Sequence, residues 1–116
     1  MKRYSVILPT YKEIKNLRVL IPDLFKTFKK MKRKVEIIVV DDASNDGTRE
    51  FLEGFKEKNE PVRLIERLKE RGLSSALLRG TDEANYENIV HMDSDLAHTT
   101  GDLRRLIDKY EENEER

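Results

Sequence analysis

The sequence contains no cysteine among its 116 residues. That absence excludes disulfide bonds, thiolate metal sites and a cysteine nucleophile together. A chain of this length buries about two-thirds of its unfolded surface, so its core needs no covalent cross-link. No linker or low-complexity segment divides the chain, and we expect residues 1–116 to form a single domain.

Long hydrophobic runs are also absent. The longest apolar runs, residues 6–9 and 37–40, are far shorter than the ~20 residues of a membrane-spanning helix. The apolar stretch that follows residues 1–5 is too short for the core of a signal peptide. We therefore expect a cytoplasmic protein.

The chain has no excess of charge of either sign, with 23 Lys and Arg residues against 23 Asp and Glu residues. This balance argues against a generic polyanion binder, so nucleic acid is not an expected partner. Charged residues make up 40% of the chain, a content typical of proteins from hot environments. A basic segment at residues 29–34 suits either the negative end of a helix dipole or contact with anionic lipid headgroups.

Two hydrophobic periods alternate along the chain. Short apolar runs predict strands at residues 4–8, 35–40, 62–65 and 89–92. Between and after them, apolar residues at steps of three and four predict four helices. Pro9 is expected to end the first strand, and Pro22 either kinks the first helix or lies in the first turn of a helix that starts after Asn16. The inner faces of the last two helices are assigned to Leu73, Ala76, Leu77 and Ala84, and to Leu103, Leu106, Ile107 and Tyr110.

The βαβαβαβα order predicts an α/β fold with three αβα layers and a mainly parallel, Rossmann-like sheet of four βα units. In such a sheet the carboxyl ends of the strands share one edge, where ligands bind. Polar residues follow every predicted strand: Pro9-Thr10-Tyr11-Lys12-Glu13, Asp41-Asp42, Glu66-Arg67 and Asp93-Ser94-Asp95.

Four clustered carboxylates would repel one another and therefore favour a hard divalent cation such as Mg²⁺ or Mn²⁺. Asp93 and Asp95 stand two apart on an extended chain, point the same way and can share one ion. Such a metal usually completes its shell with phosphate oxygens and water, which indicates a nucleoside diphosphate site.

Several of these residues also have ordinary structural explanations. Asp41 and Asp42 are common turn formers and helix caps, and Tyr11 either stacks on a base or packs against the protein. His98 is a loop residue that ligates a metal only in a minority of such cases. The sequence has neither a Walker loop nor a GxGxxG motif, which argues against dinucleotide-dependent oxidoreductase chemistry.

Four ordered motifs resemble those of inverting glycosyltransferases with the GT-A fold. They are VILPTYKE at residues 6–13, IVVDDASNDGT at 38–48, RGLSSA at 71–76 with Arg79-Gly80, and MDSDLAH at 92–98. They are most similar to the motifs of polyprenol-phosphate (dolichol-phosphate) mannosyl- and glucosyltransferases, and they extend over nearly the whole chain.

The resemblance implies binding of a nucleotide-diphosphate sugar of the GDP-mannose or UDP-glucose type. Pro9, Tyr11 and Glu13 would line the base and ribose, and Asp41 or Asp42 would bond the base. Asp93 would approach the ribose and metal, and Asp95 would bind the metal that bridges the diphosphate. The remaining candidate nucleotide-sugar contacts within these motifs are Thr10, Val40, Arg71 and Ser94. No catalytic residue is assigned, because a polyprenyl phosphate acceptor is already an anionic nucleophile.

The chain departs from the family in two respects. Ala97 stands where the mannosyltransferase pattern has a Gln able to supply a third metal ligand, and Thr99 and Thr100 replace two prolines. Family domains also continue well beyond the DxD helix. We therefore expect the truncated, nucleotide-binding half alone, and whether it transfers a sugar by itself stays open.

The expected acceptor also bears on the location of the protein in the cell. A polyprenyl phosphate would hold the protein peripherally at a membrane surface, and unpaired sheet edges favour a homodimer. The alternatives are a non-catalytic nucleotide-binding or interaction domain, a signalling receiver domain and a haloacid-dehalogenase-like phosphatase. The last two place their acidic motifs on other strands than this chain does.

Overall fold

The computed structural model describes residues 2–58, 60–94 and 100–114. These residues confirm the expected alternation of strands and helices, and the strand bounds agree with expectation to within two residues. The elements are β1 (Arg3–Thr10), α1 (Ile14–Met31), β2 (Lys34–Asp41), α2 (Thr48–Glu57), β3 (Val62–Glu66), α3 (Leu73–Glu83), β4 (Asn88–His91) and α4 (Thr100–Glu114).

The four strands form one parallel sheet in the order β3-β2-β1-β4. Val6 and Leu8 of β1 face a core built with α1, α2 and α4, whereas Ile7 faces the opposite side, where α3 packs. The expected three-layer αβα architecture is thus confirmed. Since every helix runs back against its strand, the helix N-termini lie at the carboxyl edge of the sheet.

Pro9 does not end the first strand, contrary to expectation, because β1 continues to Thr10. The last ladder bond between β1 and β4 runs from the Met92 N–H to the Ile7 carbonyl at 3.1 Å. The Pro9 carbonyl faces the same side and accepts a bond from Ser94 Oγ at 3.3 Å. The nitrogen of Pro9 therefore lies beyond the end of β4, and the missing N–H breaks no ladder bond.

Pro22 lies inside α1, which begins at Ile14, so the alternative of a later helix start is wrong. Pro22 is on the exposed face, where the carbonyl of Arg18, which loses its helical donor, can bond to water. The opposite face holds a buried apolar stripe at steps of three and four: Leu17, Leu20, Ile21, Leu24 and Phe28.

Three residues assigned to inner helix faces are exposed instead. Leu73 is 58% exposed, Leu106 is 62% exposed, and Tyr110 is 44% exposed. They belong to α3 and α4, the helices that flank β4. Because β4 is the last strand of the described sheet, the apolar faces of these helices are wider than the sheet beneath them.

None of the helices in the described part of the chain combines the length and the apolarity that crossing a bilayer demands.

Candidate functional site

The carboxyl edge brings the predicted polar residues together through the strand register. Thr10 at the end of β1 lies opposite Asp41 at the end of β2, and Asp41 lies opposite Glu66 at the end of β3. Asp93 follows β4 on the other side of β1. The site is thus built from residues that are far apart in sequence and adjacent in the sheet.

Asp41 is buried and engaged by its neighbours. Its Oδ1 accepts bonds from Thr10 Oγ1 at 2.7 Å and from Ser44 Oγ at 2.6 Å, and its Oδ2 accepts a bond from the Ser44 N–H at 2.9 Å. This carboxylate therefore joins the end of β1 to the loop after β2. Thr10 shares in this structural role.

A second acidic residue of that loop, Asp46, holds two helix starts. Its Oδ2 accepts a bond from the Ile14 N–H at 3.2 Å, and its Oδ1 accepts one from Thr48 Oγ1 at 2.6 Å. The Lys12 N–H also donates to Ser44 Oγ at 2.6 Å. Asp46 and Ser44 were not among the predicted site residues, although both lie in a motif that resembles the family.

Asp42 pairs with Arg67, whose side chain is only 2% exposed. Arg67 Nε donates to Asp42 Oδ1 at 2.6 Å, and Nη2 donates to Oδ2 at 2.8 Å, a bidentate pair. Arg67 also donates to Ser75 Oγ at 2.8 Å and to the Gly72 carbonyl at 2.9 Å. The bond to Asp42 raises the pKa of Arg67, which stays charged.

The ring of Tyr11 is 47% exposed and has cations beside it. Lys12 Nζ lies 5.3 Å and Arg71 Cζ lies 5.7 Å from the ring centroid. Hydrogen bonding to Arg71 and the charge of Lys12 lower the pKa of the Tyr11 phenol. An exposed ring with two cations nearby offers a surface for stacking a base and positive charge for phosphate.

The other predicted nucleotide-sugar contacts of the first two motifs are less exposed to solvent than Tyr11. Glu13 accepts a bond from Asn16 Nδ2 at 2.7 Å, just before α1. The side chain of Val40 is fully buried between the sheet and α3, so only its backbone can reach a ligand. Pro9 is partly exposed at the end of β1.

The expected repulsion among the carboxylates is reduced at Asp41, Asp42 and Glu66 by partners that sequence reasoning missed. Hydroxyl groups surround Asp41, Arg67 neutralises Asp42, and Arg49 forms an ion pair with Glu66. Within residues 2–58, 60–94 and 100–114, no three His, Asp or Glu side chains lie close enough to hold a metal ion.

The DxD motif is described only in part. Asp93 is exposed at the carboxyl edge, and Ser94 is buried with its hydroxyl on the Pro9 carbonyl. Asp95, Ala97, His98 and Thr99 lie outside the described residues. A carboxylate at this edge has the oxygen donors that Mg²⁺ or Mn²⁺ requires. Because Asp95 lies outside the described residues, the metal role of Asp93 and Asp95 stays a prediction.

Comparisons with known proteins agree with the motif resemblance. A family model described as "Glycosyl transferase family 2" matches residues 5–116. The chain is 42% identical over 106 residues to the dolichol-phosphate mannosyltransferase of Saccharomyces cerevisiae, and this alignment covers 90% of the chain and 40% of that protein.

Two solved structures have a similar fold. Mannosyltransferase PcManGT from Pyrobaculum calidifontis, in complex with GDP-Man and Mn²⁺, matches with a TM-score of 0.69 and 30% identity, covering 80% of this chain and 27% of that one. S. aureus TarS 1-349, in complex with UDP, matches with a TM-score of 0.68 and 30% identity, covering 94% and 32%. The expected GT-A fold is confirmed, and the chain spans 40% or less of each of these relatives.

Proposed function

The chain belongs to glycosyl transferase family 2, and from that premise we propose that it is the donor-binding part of a glycosyltransferase, which holds a nucleotide-diphosphate sugar at the carboxyl edge of its sheet. Donors of the GDP-mannose and UDP-glucose types are the candidates. Family membership also excludes the receiver domain and the haloacid-dehalogenase-like phosphatase.

The observation that carries this proposal is the exposed Tyr11 ring beside Lys12 and Arg71. The ring would stack on the base, and the two cations would meet the phosphates. The N-termini of the helices at this edge add positive dipole ends that favour an anion. Asp42, at the end of the neighbouring strand, would accept a bond from an N–H of the base.

We propose that Asp93 and Asp95 hold a Mg²⁺ or Mn²⁺ ion at this edge. Such an ion, when bound, neutralises charge on the leaving diphosphate. The bound Mn²⁺ of the similar P. calidifontis mannosyltransferase supports this choice of metal. The exposed position of Asp93 supports it as well.

We propose a polyprenyl phosphate as the acceptor of the whole enzyme. Its phosphate oxygen would attack the anomeric carbon of the sugar as the bond from that carbon to the diphosphate oxygen breaks. The bonding electrons leave with the nucleoside diphosphate, and the configuration inverts. No base is required, because the acceptor is already deprotonated.

We also propose that the protein is cytoplasmic and contacts a membrane peripherally through the carboxyl edge of its sheet. An acceptor held in a membrane has to reach the sugar, so the face that carries the site must turn toward the lipid. The basic segment at residues 29–34 includes the last turn of α1 and lies at the opposite, amino edge. Its charge therefore suits the dipole of α1 better than contact with the same membrane.

Calorimetric titration tests the proposed function. We expect GDP-mannose or UDP-glucose to bind, more tightly with Mn²⁺ than without it, and Tyr11→Ala to weaken binding about tenfold by removing a stacking surface. Tyr110→Ala is the matched control, since Tyr110 is similarly exposed but lies on α4. Asp95→Asn should weaken binding with Mn²⁺ more than binding without it.

Two results would contradict the proposal. One is that no nucleotide sugar binds at millimolar concentration. The other is that Tyr11→Ala and Tyr110→Ala behave alike. Binding without any transfer would instead favour the alternative of a nucleotide-binding domain that is not catalytic by itself.

A further inference from the structure

Asp41 and Asp42 are adjacent in sequence but differ in what they can still accept. A carboxylate has about four lone-pair positions. Asp41 uses three of them on Thr10 and Ser44 and is only 3% exposed. Its bonds all hold the end of β1 and the loop after β2 together, so Asp41 is a structural residue of the site.

Asp42 is less buried than Asp41 and is fixed from one side. Arg67 occupies one position on each carboxylate oxygen, and the Gly72 N–H donates to Oδ2 at 3.3 Å. One acceptor position therefore remains on Oδ1. This remaining position can take an N–H donor from a ligand at the carboxyl edge.

Arg67 connects three elements that build this edge. It lies directly after β3, holds Asp42 at the end of β2, and donates to Ser75 Oγ and the Gly72 carbonyl at the start of α3. Gly72 has a φ of 117°, a backbone conformation that favours glycine, and it is adjacent to Arg71 beside the Tyr11 ring. The guanidinium thus fixes the Asp42 carboxylate at the place where the ends of β2 and β3 meet the start of α3.

Resting on the proposed function, we infer that Arg67 is a positioning residue for base recognition. Its planar fork holds the Asp42 carboxylate in one orientation, with the free acceptor position turned toward the base. Lysine keeps the charge but has no fork, so it cannot bond both oxygens in this fixed geometry. Arg67 itself is too deeply buried to contact the nucleotide.

The test is a double-mutant cycle measured by calorimetry on the full chain, with GDP, UDP and inorganic pyrophosphate in the presence of Mn²⁺. We expect Arg67→Lys to weaken nucleotide binding about tenfold, as is typical when a supporting residue around a site is lost, and to leave pyrophosphate binding unchanged. In an Asp42→Asn background, Arg67→Lys should cause no further loss, because it acts through Asp42.

Arg63→Lys is the matched control. Arg63 belongs to the same strand region and also faces carboxylates, Glu36 and Glu83, but it lies four residues earlier, toward the amino edge. It should alter stability without altering nucleotide affinity. If Arg67→Lys does not fold, Ser75→Ala removes one Arg67 acceptor while keeping both charges, and we expect about a threefold loss of nucleotide affinity.

The possible failures are distinguishable. If the wild-type chain binds neither GDP nor UDP, the proposed function is wrong, and this role of Arg67 with it. If the wild type binds and Arg67→Lys binds equally well, only the role of Arg67 is overturned. Equal loss of nucleotide and pyrophosphate binding, or additive losses in the cycle, would likewise assign Arg67 a purely structural role.

Discussion

At the scale of single residues, the loop after β2 contains two non-glycine residues in the left-handed region. Ala43 has a φ of 54° and Asn45 a φ of 51°. Asn tolerates this conformation, whereas for Ala it costs about 1 kcal/mol. The bonds of Asp41 and Asp46 to both ends of the loop hold it in place, so the proposed binding edge contains local backbone strain.

Replacing Ala43 by glycine should relieve this strain. We expect Ala43→Gly to raise the free energy of unfolding by about 0.5 kcal/mol, since the relief exceeds the greater entropy of an unfolded glycine. Ala84, with an ordinary φ of −69°, is the control, and Ala84→Gly should lower stability. Urea denaturation measures the free energy of unfolding of both variants. A less stable Ala43→Gly protein would show that the backbone at Ala43 is not strained.

Sequence reasoning found the Asp41-Asp42 pair but did not separate the two roles. The partner of Asp42 is 25 residues away at Arg67, and one partner of Asp41 is 31 residues away at Thr10. Only the strand register brings these residues together. Turn and motif patterns indicate that acidic residues belong at this edge. They do not show which carboxylate is already engaged in hydrogen bonds within the protein.

At the scale of elements, α3 approaches the sheet closely at Gly80. A Cβ atom there would lie 2.3 Å from Ile7 Cγ2 and 3.2 Å from Val40 Cγ2. Both contacts belong to central strands of the sheet. Gly80 therefore sets the distance between α3 and the strands that end in the site.

A pair of glycine substitutions tests this close packing. We expect Gly80→Ala to lower the free energy of unfolding by about 1–3 kcal/mol, because the added methyl overpacks the core. Gly54→Ala in α2, where a Cβ would meet no atom within 4 Å, should raise stability by up to about 1 kcal/mol through helix propensity. Thermal unfolding of both proteins provides the comparison, and equal shifts would contradict it.

The helix after the DxD segment is tethered at its far end. Arg33 donates from Nη2 to Glu111 Oε1 at 2.7 Å and from Nε to Oε2 at 3.0 Å, and the Tyr4 hydroxyl donates to the same carboxylate. The bond from Arg33, with support from Tyr4, lowers the pKa of Glu111. This contact joins α4 to β1 and to the end of α1.

The depressed pKa of Glu111 predicts a pH dependence. Its stabilisation is complete above the ordinary glutamate pKa of 4.5 and is lost as the pH falls through the lower folded value. We expect Glu111→Gln to lower the free energy of unfolding at pH 7 by about 1–2 kcal/mol and to flatten its decline below pH 4.5. Urea denaturation between pH 7 and 3 measures this, with Glu57→Gln at an exposed position of α2 as control. A slope as steep as in the wild type would disprove the role of Glu111.

The hydrophobic periods predicted every element but not every boundary. The patterns placed four strands and four helices correctly, because alternating and three-to-four-residue spacings reflect burial directly. Pro9 was misjudged and the helix boundary near Pro22 was left open, because the cost of a proline depends on what lies beside it: the end of β4 in one case and solvent in the other. These neighbours are set by the tertiary structure and cannot be read from the local sequence pattern.

At the scale of the whole molecule, the sheet order leaves β4 at an edge with apolar residues around it. Ile89, Leu106 and Leu73 are exposed beside this strand. Leu106 lines shallow clefts together with Val90 and His91. The periodicity predicted a parallel sheet, but it could not show that β3 and β4 would be the edge strands of the sheet that the described residues form.

We propose that this edge mediates the expected homodimer. Leu106→Glu should shift the chain from dimer to monomer, because a charge placed on the apolar surface beside β4 would be buried in the pair. Val19→Glu is the control, since Val19 is similarly exposed on α1, which does not flank β4. Sedimentation analysis measures both variants, and a monomeric wild type would contradict the proposal.

Binding of a nucleoside diphosphate at the carboxyl edge can be measured residue by residue, in an NMR titration of the labelled chain with GDP and UDP in the presence of Mg²⁺. We predict amide shifts at Tyr11, Asp42 and Gly72. A groove at the amino edge is lined by Lys29, Lys32 and Phe55, and the amides of these residues should not move. Shifts at this groove alone, or no shifts at millimolar nucleotide, would show that the carboxyl edge does not bind a nucleoside diphosphate.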